Sequence, residues 1–180
     1  MKYMDIKKYD IANGEGVRVS IFVSGCTHKC KGCFNSELWD FEYGMDFTGA
    51  TINEIIEAIS PNYIKGLSLL GGEPMELKNQ IGLLPLVRKF KEIYPNKDIW
   101  CYSGYLYEYL KEQSSVHEET KELLNSIDVL VDGKFELEKK DINLLFRGSS
   151  NQRIIDLKES NIKGEIVLHR KNKRRGDLWI

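Results

Sequence analysis

The stretch that decides the fold runs from residue 17 to residue 33 and reads Val17-Arg18-Val19-Ser20-Ile21-Phe22-Val23-Ser24-Gly25-Cys26-Thr27-His28-Lys29-Cys30-Lys31-Gly32-Cys33. Its first seven residues are rich in β-branched side chains and partly alternate in polarity, which predicts a strand. A C-x3-C-x2-C cluster follows that strand directly. Iron–sulfur cubes are held by cysteine thiolates, usually by a full set of one per iron. Three thiolates leave one iron open, so the cluster indicates chemistry at a metal rather than a structural staple.

Length and composition favour a single globular domain over residues 1–180. Hydrophobic residues make up 42% and charged residues 29%, which is ordinary for a soluble protein. The net charge of -1 creates no field that would attract nucleic acid or a membrane, so neither is an expected partner. The amino terminus has no signal-peptide pattern, and no apolar run reaches the ~20 residues needed to span a bilayer. The expected location is therefore the cytoplasm.

Strands and helices alternate along most of the chain. Besides residues 17–23, strands are predicted at 66–70, 98–102 and 127–131, and helices at about 51–60, 83–94, 106–111 and 118–124. The first helix follows an apparent capping box at residues 51–54. Less regular strand-like runs occur at 144–146, 154–155 and 165–168. This alternation predicts an α/β fold with a mostly parallel sheet, and because a full eight-fold barrel needs ~250 residues, we expect a partial, open barrel.

Polar and glycine-rich loops follow the predicted parallel strands at the point where each strand ends. The cysteine cluster follows the first strand, and the later loops are Gly71-Gly72-Glu73-Pro74, Ser103-Gly104-Tyr105 and Asp132-Gly133-Lys134. The carboxyl ends of parallel strands share one rim, where α/β sheets bind their ligands. The sequence therefore predicts one site built from these loops. The remaining cysteine, Cys101, lies within a predicted strand and is expected to be a buried thiol.

The cysteine cluster followed by Gly-Gly-Glu-Pro resembles the radical S-adenosylmethionine (SAM) superfamily. Further motifs resemble one branch of it, the activating proteins of anaerobic (class III) ribonucleoside-triphosphate reductase. These motifs are residues 30–35 (CKGCFN), 100–105 (WCYSGY), 128–135 (DVLVDGKF) and 147–153 (RGSSNQR). The likeness covers residues 13–156 and implies a partial, open (β/α) barrel of the radical SAM type.

The resemblance also implies cofactors and residue roles. Cys26, Cys30 and Cys33 would hold three irons of a [4Fe-4S] cluster, and the fourth iron would bind SAM. One electron then splits SAM into methionine and a 5′-deoxyadenosyl radical. The other residues expected around SAM are Phe34, Asn35, Gly71, Gly72, Glu73, Ser103, Asp132 and Lys134.

Each of these residues has a particular expected contact. Gly71 and Gly72 would let the backbone approach the methionine part of SAM, and Glu73 would accept a hydrogen bond from its ammonium group. Lys134 would face a carboxylate and Asp132 a cation or hydroxyl, while Ser103 and Tyr105 would line the ribose side. The superfamily often has an aromatic residue just before the third cysteine, against adenine. Here that residue is Gly32, which leaves Phe34 as the candidate.

The expected partner is the large glycyl-radical subunit of anaerobic ribonucleoside-triphosphate reductase, with a flavodoxin- or ferredoxin-like protein as electron donor. The radical would remove hydrogen from a glycine Cα of that subunit, and an open barrel would admit its loop. The basic tail at about 169–180 is expected to be solvated, or to dock on an acidic surface of the reductase. Arg147 and Arg153 are either surface ion pairs or docking residues.

Three other interpretations fit parts of the sequence. One is a radical SAM enzyme with a small substrate, such as a 7-carboxy-7-deazaguanine synthase. Another is a non-catalytic iron–sulfur electron carrier, which would normally shield its cluster with a fourth cysteine. The third is a zinc knuckle with His28 as a ligand, although structural zinc ligands usually come as separated pairs. We expect His28 to be an exposed loop residue instead.

Overall fold

In the computed structural model, which describes residues 1–176, one sheet of seven strands carries five α-helices. The strands are β1 (Lys2–Asp10), β2 (Val17–Val23), β3 (Met45–Asp46), β4 (Ile64–Gly71), β5 (Asp98–Tyr102), β6 (Val129–Asp132) and β7 (Arg153–Asp156). The helices are α1 (Gly49–Ile59), α2 (Leu77–Ile93), α3 (Tyr107–Gln113), α4 (Glu118–Ser126) and α5 (Leu157–Lys163). Within the described part of the chain, no helix is long and apolar enough to cross a membrane.

The strand order is β3-β1-β2-β4-β5-β6-β7, and the centre of the sheet is parallel. Strands β2, β4, β5 and β6 pair in parallel, each joined to the next by a connection that contains at least one helix. The edges are antiparallel, because β1 pairs with β2 and β3, and β7 pairs with β6. The predicted α/β fold is confirmed, and the sheet is parallel at its centre, but three of its six strand pairs are antiparallel edge pairs that the alternation of strands and helices did not indicate.

Two predicted helices begin earlier than expected. The first starts at Gly49 because Thr48, not Thr51, is its N-cap residue. Thr48 Oγ1 accepts the N–H of Thr51, and the Thr51 hydroxyl accepts the N–H of Thr48, which makes the capping box one turn nearer the amino terminus than predicted. The second, α2, starts at Leu77, directly after the Gly71–Pro74 loop. That early start brings the first turn of α2 to the rim of the sheet.

The two faces of the sheet have different environments. The helices pack on one face, where the main core contains Val19, Ile21, Leu67, Leu69, Ile99, Cys101 and Leu130 from the central strands. The opposite face carries two smaller apolar clusters around Trp100 and Phe22. Below them the fully buried Arg18 donates to the hydroxyl of Ser68 (2.8 Å) and pairs with Asp98 (2.6 Å). The second face is thereby filled at the amino ends of the strands and leaves space at their carboxyl ends.

The last part of the chain departs from prediction. Residues 144–146 and 165–168 were expected to be strands, but they form only isolated bridges, Leu144 with Arg174 and Leu168 with Ile155. Most of residues 169–176, which belong to the expected tail, are exposed, but hydrogen bonds and ion pairs hold them against the rest of the chain. His169 donates its N–H to the carbonyl of Ile154 (2.8 Å), and Arg170 pairs with Glu15 (2.5 Å). Residues 167–169 therefore follow β7 at the edge of the sheet, and residues 173–175 bond to the segment 143–145. The expected tail's residues 177–180 lie outside the described part.

Asp128 ties three elements together below the sheet rim. Its buried carboxylate accepts hydrogen bonds from Lys91 of α2 (2.8 Å) and the N–H of Ile99 in β5 (2.7 Å), and it pairs with Lys158 of α5 (2.8 Å). Burial alone would raise the pKa of this carboxyl, but hydrogen bonds from Lys158, Lys91 and Ile99 hold the pKa below its ordinary value.

This environment predicts a pH-dependent stability. A carboxyl whose pKa is lowered by folding stabilises the protein above its unfolded pKa of ~3.9, and that contribution is lost as pH falls through the lower folded value. We expect Asp128→Asn to lose about 1–3 kcal/mol of unfolding free energy at neutral pH and to flatten the acid limb of the stability profile. Urea unfolding from about pH 3 to pH 7 measures the loss of unfolding free energy and its dependence on pH. Asp46→Asn, at an exposed ion pair with Lys2, is the control, and equal profiles for the two variants would contradict the assignment.

Candidate functional site

A cavity of about 570 Å³ opens at the carboxyl ends of the parallel strands, on the face opposite the main helices. Residues from all four predicted rim loops line it, so the expected convergence of these loops is observed. Nine of the eleven predicted site residues are among the lining residues: Cys26, Cys30, Cys33, Phe34, Asn35, Gly71, Gly72, Glu73 and Ser103. Asp132 and Lys134 are not among them, although Gly133 between them is.

The three clustered cysteines are free thiols at different depths of this cavity. Burial raises the pKa of the Cys26 thiol to about 11. Burial also raises the pKa of Cys30, while the N–H of Phe135 and the charge of Lys134 act in the opposite direction. Because thiolates are the metal ligands, binding a metal here must displace a proton from Cys26. Cys101 is fully buried in the core on the helix face, as predicted, and it is not among the residues that line the cavity.

The donor set suits an iron–sulfur cube. Three thiols on one short loop line the same cavity, and the fourth cysteine lies on the other face of the sheet. In residues 1–176, no three His, Cys, Asp or Glu side chains converge as the ligands of a single metal ion do. The ligands of a cube each bind a different iron, so they stand farther apart than the ligands of one ion. The cavity also leaves room beside the thiols for a further ligand.

Gly71 and Gly72 bring the end of β4 against the chain that leads to Cys26. Gly71 has a φ of +110°, and a Cβ there would lie 2.7 Å from the Cα of Phe22. A Cβ on Gly72 would lie 2.6 Å from the carbonyl oxygen of Gly25. The N–H of Gly72 donates to the carbonyl of Val23 (2.7 Å). Side chains are therefore excluded at both positions by backbone packing alone, before any ligand is considered.

Glu73 is 1% exposed and joins three loops through its carboxylate. Oε2 accepts the N–H of Gly104 (2.6 Å) and lies 2.9 Å from His28 Nε2, and Oε1 accepts the N–H of Met75 (2.9 Å). The expectation that His28 is an exposed loop residue is wrong, because its side chain is 6% exposed. Spacing within the cysteine cluster carries no signal for this contact, which depends on how the loop after β4 folds back.

The remaining predicted residues on the rim contact their own loops or neighbouring loops. Ser103 is buried, and its hydroxyl accepts the N–H of Tyr105 (3.1 Å). Asn35 donates its side-chain amide to the carbonyl of Gly71 (3.4 Å) and its N–H to the sulfur of Cys33 (3.4 Å). Phe34 is 65% exposed, and its ring centre lies 5.3 Å from that of Phe135. An exposed aromatic ring at the mouth of the cavity is available to cover a flat ligand.

Asp132 and Lys134 have separate environments despite their closeness in sequence. Asp132 is fully buried, and its carboxylate pairs with Arg153 and accepts the N–H of Tyr107 (2.9 Å). The cation that faces Asp132 in the structure is thus a residue of this chain. Lys134 is exposed, and its charge is felt at Cys30.

Of the two arginines considered for docking, Arg153 is held in ion pairs with Asp132 and Glu108. Arg147 lines the cavity, and its Nη1 donates to the carbonyl of Gln152 (2.6 Å). Burial lowers the pKa of Arg147, and the nearby charge of Arg174 acts in the same direction. Its Nε has no hydrogen-bond partner within the described residues. Arg147 therefore lines the cavity while its Nε is buried without a partner in that part of the chain, a feature that its loop sequence alone did not reveal.

Comparison with known proteins places the chain among iron–sulfur proteins. The family described as a 4Fe-4S single cluster domain matches residues 12–155. The chain is 42% identical over 154 residues to a protein of Pasteurella multocida, covering 84% of this chain and 95% of the relative. Relatives from Haemophilus influenzae (43% identity) and Escherichia coli K12 (42% identity) each match 84% of this chain and 96% of their own length. All three relatives bear the name anaerobic ribonucleoside-triphosphate reductase-activating protein.

Proposed function

Because the chain belongs to the family of anaerobic ribonucleoside-triphosphate reductase-activating proteins, with its 4Fe-4S single cluster domain, we propose that it activates such a reductase by radical SAM chemistry. The observation that carries the proposal is the convergence of three thiols and the Gly71–Glu73 loop on one open cavity. A cluster held by these thiols would supply an open iron and one electron, which together convert SAM into methionine and a 5′-deoxyadenosyl radical. The open sheet then corresponds to a partial radical SAM barrel formed by the whole chain.

The residues of the chain would bind and orient the two groups. Cys26, Cys30 and Cys33 would each ligate one iron. Glu73 Oε1 accepts one backbone hydrogen bond and keeps a second lone pair, which we assign to the ammonium group of SAM. The exposed ring of Phe34 would lie on the adenine side and the buried Ser103 on the ribose side.

The rim loops after β4 and β6 would complete the SAM site. Gly71 and Gly72 bring the backbone of the first loop to the cavity wall, where it can approach the methionine part. Asn35 holds the carbonyl of Gly71. Lys134 would face the SAM carboxylate, while Asp132 acts indirectly by holding the start of its loop through Arg153.

The substrate would be a glycine Cα–H on the large subunit of the reductase. Loss of that hydrogen gives a radical that the flanking amides stabilise, and the hydrogen completes 5′-deoxyadenosine. The cavity opens to solvent past exposed side chains such as Phe34 and Ile142, so a loop of a second protein can enter beside SAM. A flavodoxin- or ferredoxin-like donor in the cytoplasm would supply the electron.

Anaerobic reconstitution with iron and sulfide tests this proposal. We expect the loaded chain to cleave SAM when reduced, and to produce a glycyl radical on the purified reductase subunit that electron paramagnetic resonance (EPR) detects. Both signals should require SAM, so omitting SAM is the control. Formation of 5′-deoxyadenosine without any radical on the reductase would favour an enzyme with a small substrate instead. A cluster that neither cleaves SAM nor changes its spectrum when SAM is added would favour an electron carrier.

A further inference from the structure

His28 occupies an unexpected place for a residue between two metal-binding cysteines. It lies in the three-residue gap between Cys26 and Cys30, yet its imidazole side chain is 6% exposed. Thr27 and Lys29, on either side of it, are exposed. The cysteine loop thus turns one side chain of the gap inward, under the metal-binding surface.

The imidazole is held on two sides. Its Nε2 lies 2.9 Å from Glu73 Oε2, which also accepts the N–H of Gly104, so the carboxylate is the acceptor and Nε2 carries the proton. Its ring packs edge-on against Tyr105, with 4.3 Å between ring centres. A Cβ on Gly104 would lie 2.3 Å from the imidazole Cδ2. The loop after β5 therefore has space for this ring because residue 104 is glycine.

The residue before His28 is also fixed by hydrogen bonds. Thr27 donates both its N–H (3.1 Å) and its hydroxyl (2.5 Å) to Glu76, and Glu76 also accepts from the hydroxyl of Tyr105 (3.3 Å). After His28, Lys29 takes a φ of +49°, which turns the chain back toward Cys30. The gap between the two cysteines is therefore shaped by the loops after β4 and β5.

From these contacts we propose that His28 is a positioning residue, which locks the cysteine loop onto Glu73 and Tyr105 so that its thiols face a common cluster. Side chains that orient metal ligands without binding the metal typically change metal affinity or activity by about 10- to 100-fold. The same contact fixes Oε2 of Glu73, so His28 also orients the carboxylate assigned to the SAM ammonium. The role toward the cluster and SAM rests on the proposed function, whereas the locking of the loop does not.

The first experiment needs no cluster. In the metal-free chain, iodoacetamide labelling followed by peptide mass spectrometry measures how often each cysteine becomes accessible. We expect His28→Ala to speed labelling of the buried Cys26 by roughly tenfold or more, as when a buried hydrogen bond that limits local opening is lost. Labelling of Cys101 should not change, and His117→Ala, at the start of α4, is the control variant. Unchanged labelling of Cys26 would overturn the proposal, whatever the enzyme's activity.

The second experiment uses the reconstituted chain and the EPR spectrum of its reduced cluster. We expect His28→Ala to weaken the spectral response to SAM by about 10- to 100-fold in SAM concentration. His28→Gln should recover most of it, because its amide can donate to Glu73. Gly104→Ala should weaken the response to SAM as His28→Ala does, because the added methyl group displaces the imidazole. In the His28→Ala variant, adding Gly104→Ala should weaken the response little further. The positioning role would be refuted if His28→Ala responded to SAM like the unchanged chain. It would also be refuted if Gly104→Ala weakened the response equally in the presence of His28 and of His28→Ala. If the unchanged chain showed no spectral response to SAM, the proposed function would be refuted instead.

Discussion

Cys30→Ala should eliminate the iron–sulfur cluster and with it all SAM cleavage. Cys30 lies between the other two proposed ligands in sequence, lines the cavity and is partly exposed. Two remaining thiols cannot hold three irons of a cube, so we expect iron and sulfide to fall to the level of the chain before reconstitution. The rate of 5′-deoxyadenosine formation should fall by more than about 100-fold. That is the largest effect typical of substitutions at residues that only orient metal ligands.

Cys101→Ala is the matched control for this loss. It also removes one thiol, but from the core on the opposite face of the sheet, where burial raises the pKa of Cys101 well above its ordinary value. We expect Cys101→Ala to keep its iron and its activity, with a lower melting temperature. If Cys30→Ala still cleaved SAM, the assignment of the cluster to these cysteines would fall. Equal iron loss in both variants would point to misfolding instead.

The rim of the sheet could be predicted from sequence because it depends on local patterns. Short apolar runs such as residues 98–102 identify the parallel strands, and glycine-rich or polar residues mark where they end. Once the strands are parallel, their carboxyl ends must share an edge. The convergence of the cysteines, Gly71 and Ser103 on one cavity follows from this topology and needs no detail of side-chain packing.

The edges of the sheet could not be predicted in the same way. Strand β1 (Lys2–Asp10) has five charged residues and two register shifts where it pairs with β2, so no regular alternation of polarity marks it. Conversely, residues 144–146 and 165–168 are apolar enough to suggest strands but find only isolated bridge partners. Apolar content indicates burial, whereas a strand also requires a neighbouring backbone to pair with.

Within the site, residue types were easier to predict than residue contacts. The spacing of the cysteines predicts that they are ligands, but the burial of His28 depends on Glu73, which lies 45 residues later. Asp132 shows the same limit, since its ion partner Arg153 lies 21 residues away on an antiparallel strand. Contacts between loops depend on strand register, and register at the last antiparallel pair has no marker in the sequence.

Arg153→Ala should strongly destabilise the fold at the edge of the site. Asp132 is fully buried at the end of β6, directly opposite Arg153 in the register of β7, and Arg153 Nε donates to its carboxylate (2.9 Å). Hydrogen bonds from Arg153 to Asp132 and Glu108 raise the pKa of the guanidinium. Removing Arg153 leaves the buried Asp132 charge with only the N–H of Tyr107 as a donor in residues 1–176, and because Arg153 is itself 29% exposed we expect a loss of about 3 kcal/mol, the lower end for a buried pair. Urea unfolding of the metal-free chain measures this loss.

Glu108→Ala provides the comparison, because it removes the exposed partner of the same arginine. Its side chain is 57% exposed, and surface pairs contribute about 0–1 kcal/mol. Adding Asp132→Asn to Arg153→Ala should restore part of the lost stability, since the buried charge is then gone. If Arg153→Ala lowered the unfolding free energy no more than Glu108→Ala, the ion pair with Arg153 would not be what stabilises the buried Asp132. Because Gly133 follows Asp132 and lines the cavity, the same ion pair also holds the β6 loop in place at the candidate site.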